Sequence, residues 1–280
     1  MAKSPACPAV WTQVSSHLTG MFLSNGQCND DARAAIRAAF HDCGTWDNTQ
    51  GEHGGCDGSL VLAQEYLLPQ SQPLEDISNK LLAVAQQFKV SVADTLAFAG
   101  AHAIVTCPGG PTVQTFVGRK DNSTAGPVTL LPGAFDSGDS LFTLFENKGF
   151  DKVDLAALVG AHTSSKQFLV NTADAGQSQD STPGTWDVKF YSDTTNPPPG
   201  TFVFQSDINL ANHPVVGPEF KGFVNGQGKW NGKFADAMKR MLLLGVPGGS
   251  ANLIDCTNAL PKATPLNKVK RQLNPFSPRN

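Results

Sequence analysis

The residues of this 280-residue chain best placed to do chemistry are one arginine and two histidines. In Arg37-Ala-Ala-Phe40-His41-Asp42, Arg37 and His41 stand four positions apart, so on a helix they project from one face. Asp42 is turned about 100° from His41 and serves something else. A guanidinium and an imidazole on an Ala-rich, otherwise apolar face are costly to bury, which suggests a polar pocket cut into a core. The plainer alternative is a surface face with a chance pair. His162 closes the apolar run Asp154-Leu-Ala-Ala-Leu-Val-Gly-Ala-His162-Thr163. A neutral imidazole there can ligate a metal such as haem iron. The small Gly160 and Ala161 beside it would let a flat, bulky group approach the backbone. The plainer alternative is a core histidine satisfied by its neighbours. His102, in Ala99-Gly-Ala-His102, echoes the sequence at His162.

Helices must hold these side chains in place. Asn29, Asp30 and Asp31 give an acidic start to a run of good helix formers that ends at His41. Further helices are expected at 74–88, 91–105, 140–148, 151–162 and 232–244. The third stops at Cys107-Pro-Gly-Gly. Residues 171–201 are rich in Thr, Asp, Gly, Ser and Pro and read as an ordered loop with short strands at most. So long a polar stretch inside a compact domain usually has a task, such as wrapping an ion. The tail from Pro261 is expected to lie extended on the surface, and Met1 to Lys3 read as an added expression start.

Composition bounds the rest. Apolar residues make up 40% and charged residues 16%, which suits one large domain or two tightly joined lobes. The formal charge of −3 gives no footprint for nucleic acid or an anionic membrane, and no run is long and apolar enough to span a bilayer. Cys7, Cys28, Cys43, Cys56, Cys107 and Cys256 are widely spread without CxxC spacing, so they read as three disulfides formed in an oxidising compartment. Spacing alone does not choose their pairing.

Taken in order, five motifs match one family. Arg37-x-x-Phe40-His41-Asp42, Gly54-Gly-Cys56-Asp57-Gly-Ser59 and Gly160-Ala-His162-Thr163 resemble the plant, fungal and bacterial haem peroxidase superfamily. Asp180-Ser-Thr182-Pro-Gly-Thr185-Trp-Asp187 and Gln205-Ser-Asp207 resemble its secreted fungal class II branch. The likeness runs from about Cys28 to about Pro261.

This resemblance implies a mainly α fold with little β structure and haem b held between two helical lobes. The distal lobe would be 1–130, the proximal lobe 131–256, and 257–280 an outer tail. His162 would be the proximal iron ligand and Asp207 its hydrogen-bond partner. His41 would be the distal acid–base group, Arg37 would stabilise charge on the breaking O–O bond, and Phe40 would pack over the macrocycle. The implied activity is oxidation of small aromatic or phenolic donors by hydrogen peroxide, one electron at a time through ferryl intermediates, in a secreted monomer. Two calcium ions are implied as well. One would use Asp42, Gly55, Asp57 and Ser59, and the other Thr163, Asp180, Thr182, Thr185 and Asp187. The resemblance pairs Cys28 with Cys107 and Cys7 with Cys256, leaving Cys43 and Cys56. It also makes His102 structural, since this position is ordinarily apolar.

The chain departs from the family's pattern at several places. The asparagine that usually holds the distal histidine falls on Ser71, so Gln70, Gln72, a hydroxyl or water must orient His41. An aromatic position beside the proximal histidine is Gln179. The manganese-binding acids fall on Asp30, Ala34 and Phe168, and the surface tryptophan of ligninolytic members falls on Ala157. No manganese-dependent activity and no relay from position 157 are therefore expected, whereas Trp46 is a candidate surface electron donor. Asn122-Ser-Thr is a glycosylation sequon. Two other readings compete: a thiolate-haem peroxygenase resting on Cys7-Pro8, and a secreted calcium-binding scaffold without catalysis.

Overall fold

The computed structural model describes residues 5–49 and 54–266. It is 53% helical and 4% strand, so the mainly α expectation holds. Helix α1 (Val10–Phe22) buries Trp11, Val14, Ser15, Leu18 and Phe22, a stripe at helical spacing. Its β-branched and hydroxyl residues have weak helix propensity, and no side chain caps its start, so burial of that stripe holds it. A minimal hairpin pairs β1 (Leu23–Ser24) with β2 (Gln27–Cys28). Helix α2 (Asp30–Cys43) begins where the Asn29 side chain accepts the Ala32 backbone N–H at 3.1 Å. Then come α3 (Ser59–Leu62), α4 (Glu75–Phe88) and α5 (Val92–Thr106), the last capped by Ser91 and buried along its whole length.

Helix α2 lies along α5 more extensively than any other pair of elements pack. Gly100 makes this possible, because a Cβ there would meet the Ala39 Cβ at 2.5 Å. The close approach fixes the rotation of α2, and with it the direction in which Arg37 and His41 project.

The second half holds α6 (Gly138–Asn147), α7 (Lys152–Val159), α8 (Lys189–Thr195), α9 (Gln205–Asn212), α10 (Gly217–Lys221) and α11 (Gln227–Met241). A capping box of Asp151 and Asp154 starts α7, which packs against α10 and α11. Strand β3 (Phe116–Val117) pairs with β4 (Ile254–Asp255), joining the end of the chain to its first half. Lys148, buried just past α6, donates from Nζ to the carbonyls of Gly44 at 2.8 Å and Trp46 at 3.1 Å. A cation thus caps the negative end of the helix that carries His41.

Besides α1, α3 and α10, which the sequence reading did not place, four details differ from it. The helix at 151–162 is α-helical only to Val159, and His162 sits in a tighter 3₁₀ turn, Gly160–Ser164. The 171–201 stretch makes two isolated bridges through Ser178, to Lys166 before it and to Thr201 within it, but it also holds α8, which the polar composition hid. Helix α8 forms because Phe190 and Tyr191 are fully buried, not because its residues favour helix. Helix α9, which carries Asp207, was likewise not anticipated. Helix α11 runs from Gln227 to Met241 rather than 232–244.

The disulfides are Cys7–Cys256, Cys28–Cys107 and Cys43–Cys56. With Cys7 oxidised, no thiolate is available there, and the peroxygenase reading falls. No single helix among the described residues is long and apolar enough to cross a membrane. Residues 261–266 follow an irregular path, with the Thr264 carbonyl accepting the Gly109 N–H at 2.7 Å. The rest of the expected tail and the expected added start at Met1–Lys3 lie outside the described residues.

Candidate active site

Arg37, Phe40 and His41 of α2 line a cavity of about 730 Å³ that is also lined by Ala161, His162 and Asp207. The two histidines singled out in the sequence therefore meet in one space. His102 does not line it. That ring is buried between α1 and α5, with Nε2 at 2.9 Å from the Ser15 carbonyl and Nδ1 at 3.1 Å from Thr106 Oγ1.

On the α2 side, Arg37 Nε donates to His41 Nε2 at 3.1 Å, and Arg37 Nη2 donates to the Gln70 carbonyl at 2.7 Å. His41 Nδ1 is 3.0 Å from Ser71 Oγ. Burial, and secondarily the Arg37 charge, pushes the His41 imidazole well below its ordinary value. The ring is therefore neutral, with its proton on Nδ1 toward Ser71 and its Nε2 lone pair toward Arg37 and the cavity. Burial also lowers the Arg37 guanidinium to about 10, which still leaves it charged near neutrality. Of the open choices for orienting His41, the hydroxyl of Ser71 is the one in contact.

On the other side, His162 Nδ1 lies 3.2 Å from both oxygens of the buried Asp207 carboxylate. Phe190 and Phe204 meet the ring edge-on, each at 5.6 Å between centroids. Three contacts thus fix the plane of a ring that is still 32% exposed, leaving its Nε2 edge available to a ligand. Gln179 Nε2 donates to Asp207 Oδ2 at 3.2 Å. Phe190 and Phe204 escaped the sequence reading, because nothing local distinguishes them from other apolar residues in a polar stretch.

One expectation is corrected. Gly160 does not make room for a flat group. A Cβ there would run into the Tyr191 hydroxyl and would meet Trp230 Nε1 at 2.6 Å. Its small size serves packing behind the 3₁₀ turn, whereas Ala161 is the small residue that faces the cavity.

The two oxygen-rich sets are held differently. The buried Asp42 carboxyl accepts N–H groups of Gly58 at 3.1 Å and Leu60 at 3.1 Å, and burial, then Asp57, pushes it well above the usual carboxylate range. Ser59 Oγ is buried without a hydrogen-bond partner among the described residues, and burial raises the nearby Glu65 carboxyl, opposed in part by the Gly126 N–H. In the second set, Thr163 Oγ1 donates to Asp180 Oδ2 at 2.6 Å, and Thr182 and Thr185 hydroxyls donate to Asp187 at 3.1 and 2.8 Å. Burial pushes the Asp180 carboxyl up to about 7. Each set contains two carboxylates, and in the second the Thr163, Thr182 and Thr185 hydroxyls lie against them. No cluster of three or more His, Cys, Asp or Glu able to hold a metal occurs among the described residues. Such donors suit a hard cation rather than a thiolate- or imidazole-seeking one.

The family model for peroxidases matches residues 14–226. The chain belongs to the peroxidase family. This peroxidase is 28% identical to versatile peroxidase VPS1 of Pleurotus eryngii, over 94% of its own length and 77% of the relative's. It is 28% identical to ligninase LG6 of Phanerodontia chrysosporium (93% and 76% covered), and 27% identical to a peroxidase of Arthromyces ramosus (91% and 76% covered). The peroxidase is thus a haem-dependent oxidoreductase acting on peroxide. Haem follows from the family, and the cavity fits it. It has the volume of a cofactor site, apolar walls that include Phe40, Leu158 and Leu210, and one imidazole tied back by its far nitrogen.

Proposed function

We propose that this peroxidase works outside the cell, taking single electrons from small aromatic donors with hydrogen peroxide, and that two calcium ions brace its site. The observation carrying this reading is the cavity shared by two differently held imidazoles. The imidazole of His162 is anchored by Asp207, and that of His41 is neutral, with its unprotonated Nε2 facing the cavity beside Arg37. The proposed halves, 1–130 and 131–256, contribute His41 and His162 respectively, and the chain acts as a monomer.

Haem b, when bound, supplies the metal that peroxide reaches and the two electrons that cleave its O–O bond. His162 would hold that metal through Nε2, while Asp207 would draw on its Nδ1–H and make the imidazole more basic. His41 Nε2 takes a proton from the near oxygen of hydrogen peroxide and gives it to the far oxygen, which leaves as water. Arg37 releases Nε from His41 and stabilises the negative charge that builds as the bond breaks. Because His41 titrates well below 6.5, it stays a base in mildly acidic medium. Phe40, which lines the cavity, would pack against the macrocycle. Two aromatic donor molecules would then supply one electron each.

Calcium at Asp42, Gly55, Asp57 and Ser59 would hold the residue after His41. Calcium at Thr163, Asp180, Thr182, Thr185 and Asp187 would hold the residue after His162. The three disulfides support an extracellular setting. Donor choice follows from what surrounds the cavity. Asp30 is engaged by Arg33 and Lys166, each at 2.8 Å, while Ala34 and Phe168 offer no oxygen, so manganese is not a donor. Ala157 is fully buried. Exposed Phe135, Phe168 and Leu169 give the cavity an apolar rim suited to aromatic molecules.

The test is a visible spectrum of haem-loaded protein before and after one equivalent of peroxide. His162→Ala is expected to lose stable haem binding. His41→Leu is expected to keep haem and slow the peroxide reaction by roughly 10²–10⁴-fold. Retention of an unchanged haem spectrum in His162→Ala, or its loss in His102→Phe alone, overturns the reading.

A further inference from the structure

Behind the 3₁₀ turn of His162 lies a block of aromatic side chains that the proposed chemistry does not use. Trp186 and Trp230 stack with centroids 5.1 Å apart and planes 10° from parallel, and both are fully buried. Two series of ring contacts lead to them from the cavity. Phe234 lines the cavity and meets Trp186 at 4.7 Å and Trp230 at 5.8 Å. The other series runs from His162 to Phe190 at 5.6 Å, then Tyr191 at 5.4 Å, then Trp230 at 5.9 Å.

One edge of the pair meets negative potential. Trp230 Nε1 donates to the Ala157 carbonyl at 3.0 Å, in the last turn of α7, so the negative end of that helix faces the indole. Trp186 Nε1 is buried and has no hydrogen-bond partner among the described residues. Tyr191 is placed differently. Its hydroxyl donates to the Ala156 carbonyl at 2.9 Å, and a carbonyl is no base for the proton that phenol oxidation must release. An indole can lose an electron and keep its N–H.

We propose that the Trp186–Trp230 pair is an internal one-electron donor to the haem site, used when peroxide has reacted and no external donor occupies the cavity. The proposal rests on the reading of the cavity given above. Hydrogen peroxide is the oxidant. Cleavage of its O–O bond draws two electrons from the haem site, as one oxygen leaves as water and the other stays at that site, and the pair returns one of those electrons. No bond breaks and no proton leaves. The charge is shared over two parallel rings as a radical cation, until an aromatic donor restores the electron. The pair thereby draws oxidising power away from His41 and Arg37 when donors are scarce.

The experiment uses haem-loaded full-length protein, mixed with one equivalent of hydrogen peroxide without donor. It is read by optical spectroscopy and, after freeze-quenching, by electron paramagnetic resonance. Protein carrying ring-deuterated tryptophan is expected to narrow an organic radical signal, which assigns it to indole without any mutation. Trp186→Phe and Trp230→Phe are expected to lose that signal and to prolong the peroxide-oxidised optical spectrum, while Trp11→Phe and Trp46→Phe retain both. A normal optical response with no indole signal overturns the proposal alone, as does a signal lost only in Trp46→Phe. No optical response to peroxide at all overturns both the proposal and the reading beneath it.

Discussion

Ser71 Oγ stands 3.0 Å from His41 Nδ1 and is buried, so a hydroxyl is the group that holds this imidazole from its far side. A hydroxyl both donates and accepts, so it does not by itself dictate which imidazole nitrogen carries the proton. The Arg37 Nε–H on His41 Nε2 makes that choice instead. Ser71→Ala is therefore expected to lower the rate of reaction with peroxide about tenfold, with the KM for the aromatic donor unchanged. Ser71→Asn is expected to restore it. Stopped-flow mixing with peroxide checks both, and a Ser71→Ala rate equal to wild type removes Ser71 from the site.

Gln179 competes with His162 for Asp207. Its amide donates to Asp207 Oδ2 at 3.2 Å, which dilutes the charge available to His162 Nδ1–H. Gln179→Phe is expected to make the His162 imidazole more basic and to lower the haem reduction potential, on the order of tens of millivolts. Because Gln179 Oε1 is buried without a partner, this change is not expected to destabilise the fold. Spectroelectrochemical titration reads the sign, and a rise in potential contradicts the account.

His102 makes acid stability testable apart from catalysis. Burial lowers its imidazole to about 4, against an ordinary 6.5. The unfolded chain then binds more protons than the folded one between those values, so stability falls as pH drops from 6.5 to 4. The loss from this group amounts to about 3 kcal/mol. His102→Leu is expected to flatten that part of the stability profile, measured by denaturant unfolding from pH 7 to 4, while leaving the haem spectrum intact. An equally steep profile in the variant assigns the acid sensitivity elsewhere.

Calcium removal tests both oxygen sets. Chelation is expected to lower Tm by on the order of 5 °C or more and to slow the peroxide reaction, since Asp42 and Thr163 adjoin the two histidines. Asp57→Ala and Asp187→Ala are each expected to lower the bound calcium by one ion per chain in elemental analysis. Because the metal-free Asp180 carboxyl is raised to about 7, protons compete with the cation, and calcium is expected to be held less tightly as pH falls below 7. A chain that binds no calcium at neutral pH contradicts this part of the proposal.

Much of the site was legible in the sequence because its signals are local. Arg37 and His41 share a face through helical spacing, and the caps at Asn29, Ser91 and Asp151 set where three helices begin. Asp180 to Asp187 forms one short loop whose hydroxyls bond its own carboxylates. Helices α1, α8 and α9 were not legible, since weak propensity is overridden there by burial against elements far along the chain.

The sequence by itself determined the chemical repertoire: which histidines could act, which acids could take a hard cation, and that six cysteines should pair. Only the tertiary structure decided the partners. It set Ser71 rather than a glutamine against His41, turned Gly160 toward Trp230 instead of the cavity, and clamped His162 between Phe190 and Phe204. The reason is physical. Periodicity and capping act over a few residues, whereas these contacts depend on the packing of α2 on α5 and of α7 on α11, which brings together side chains distant in the chain.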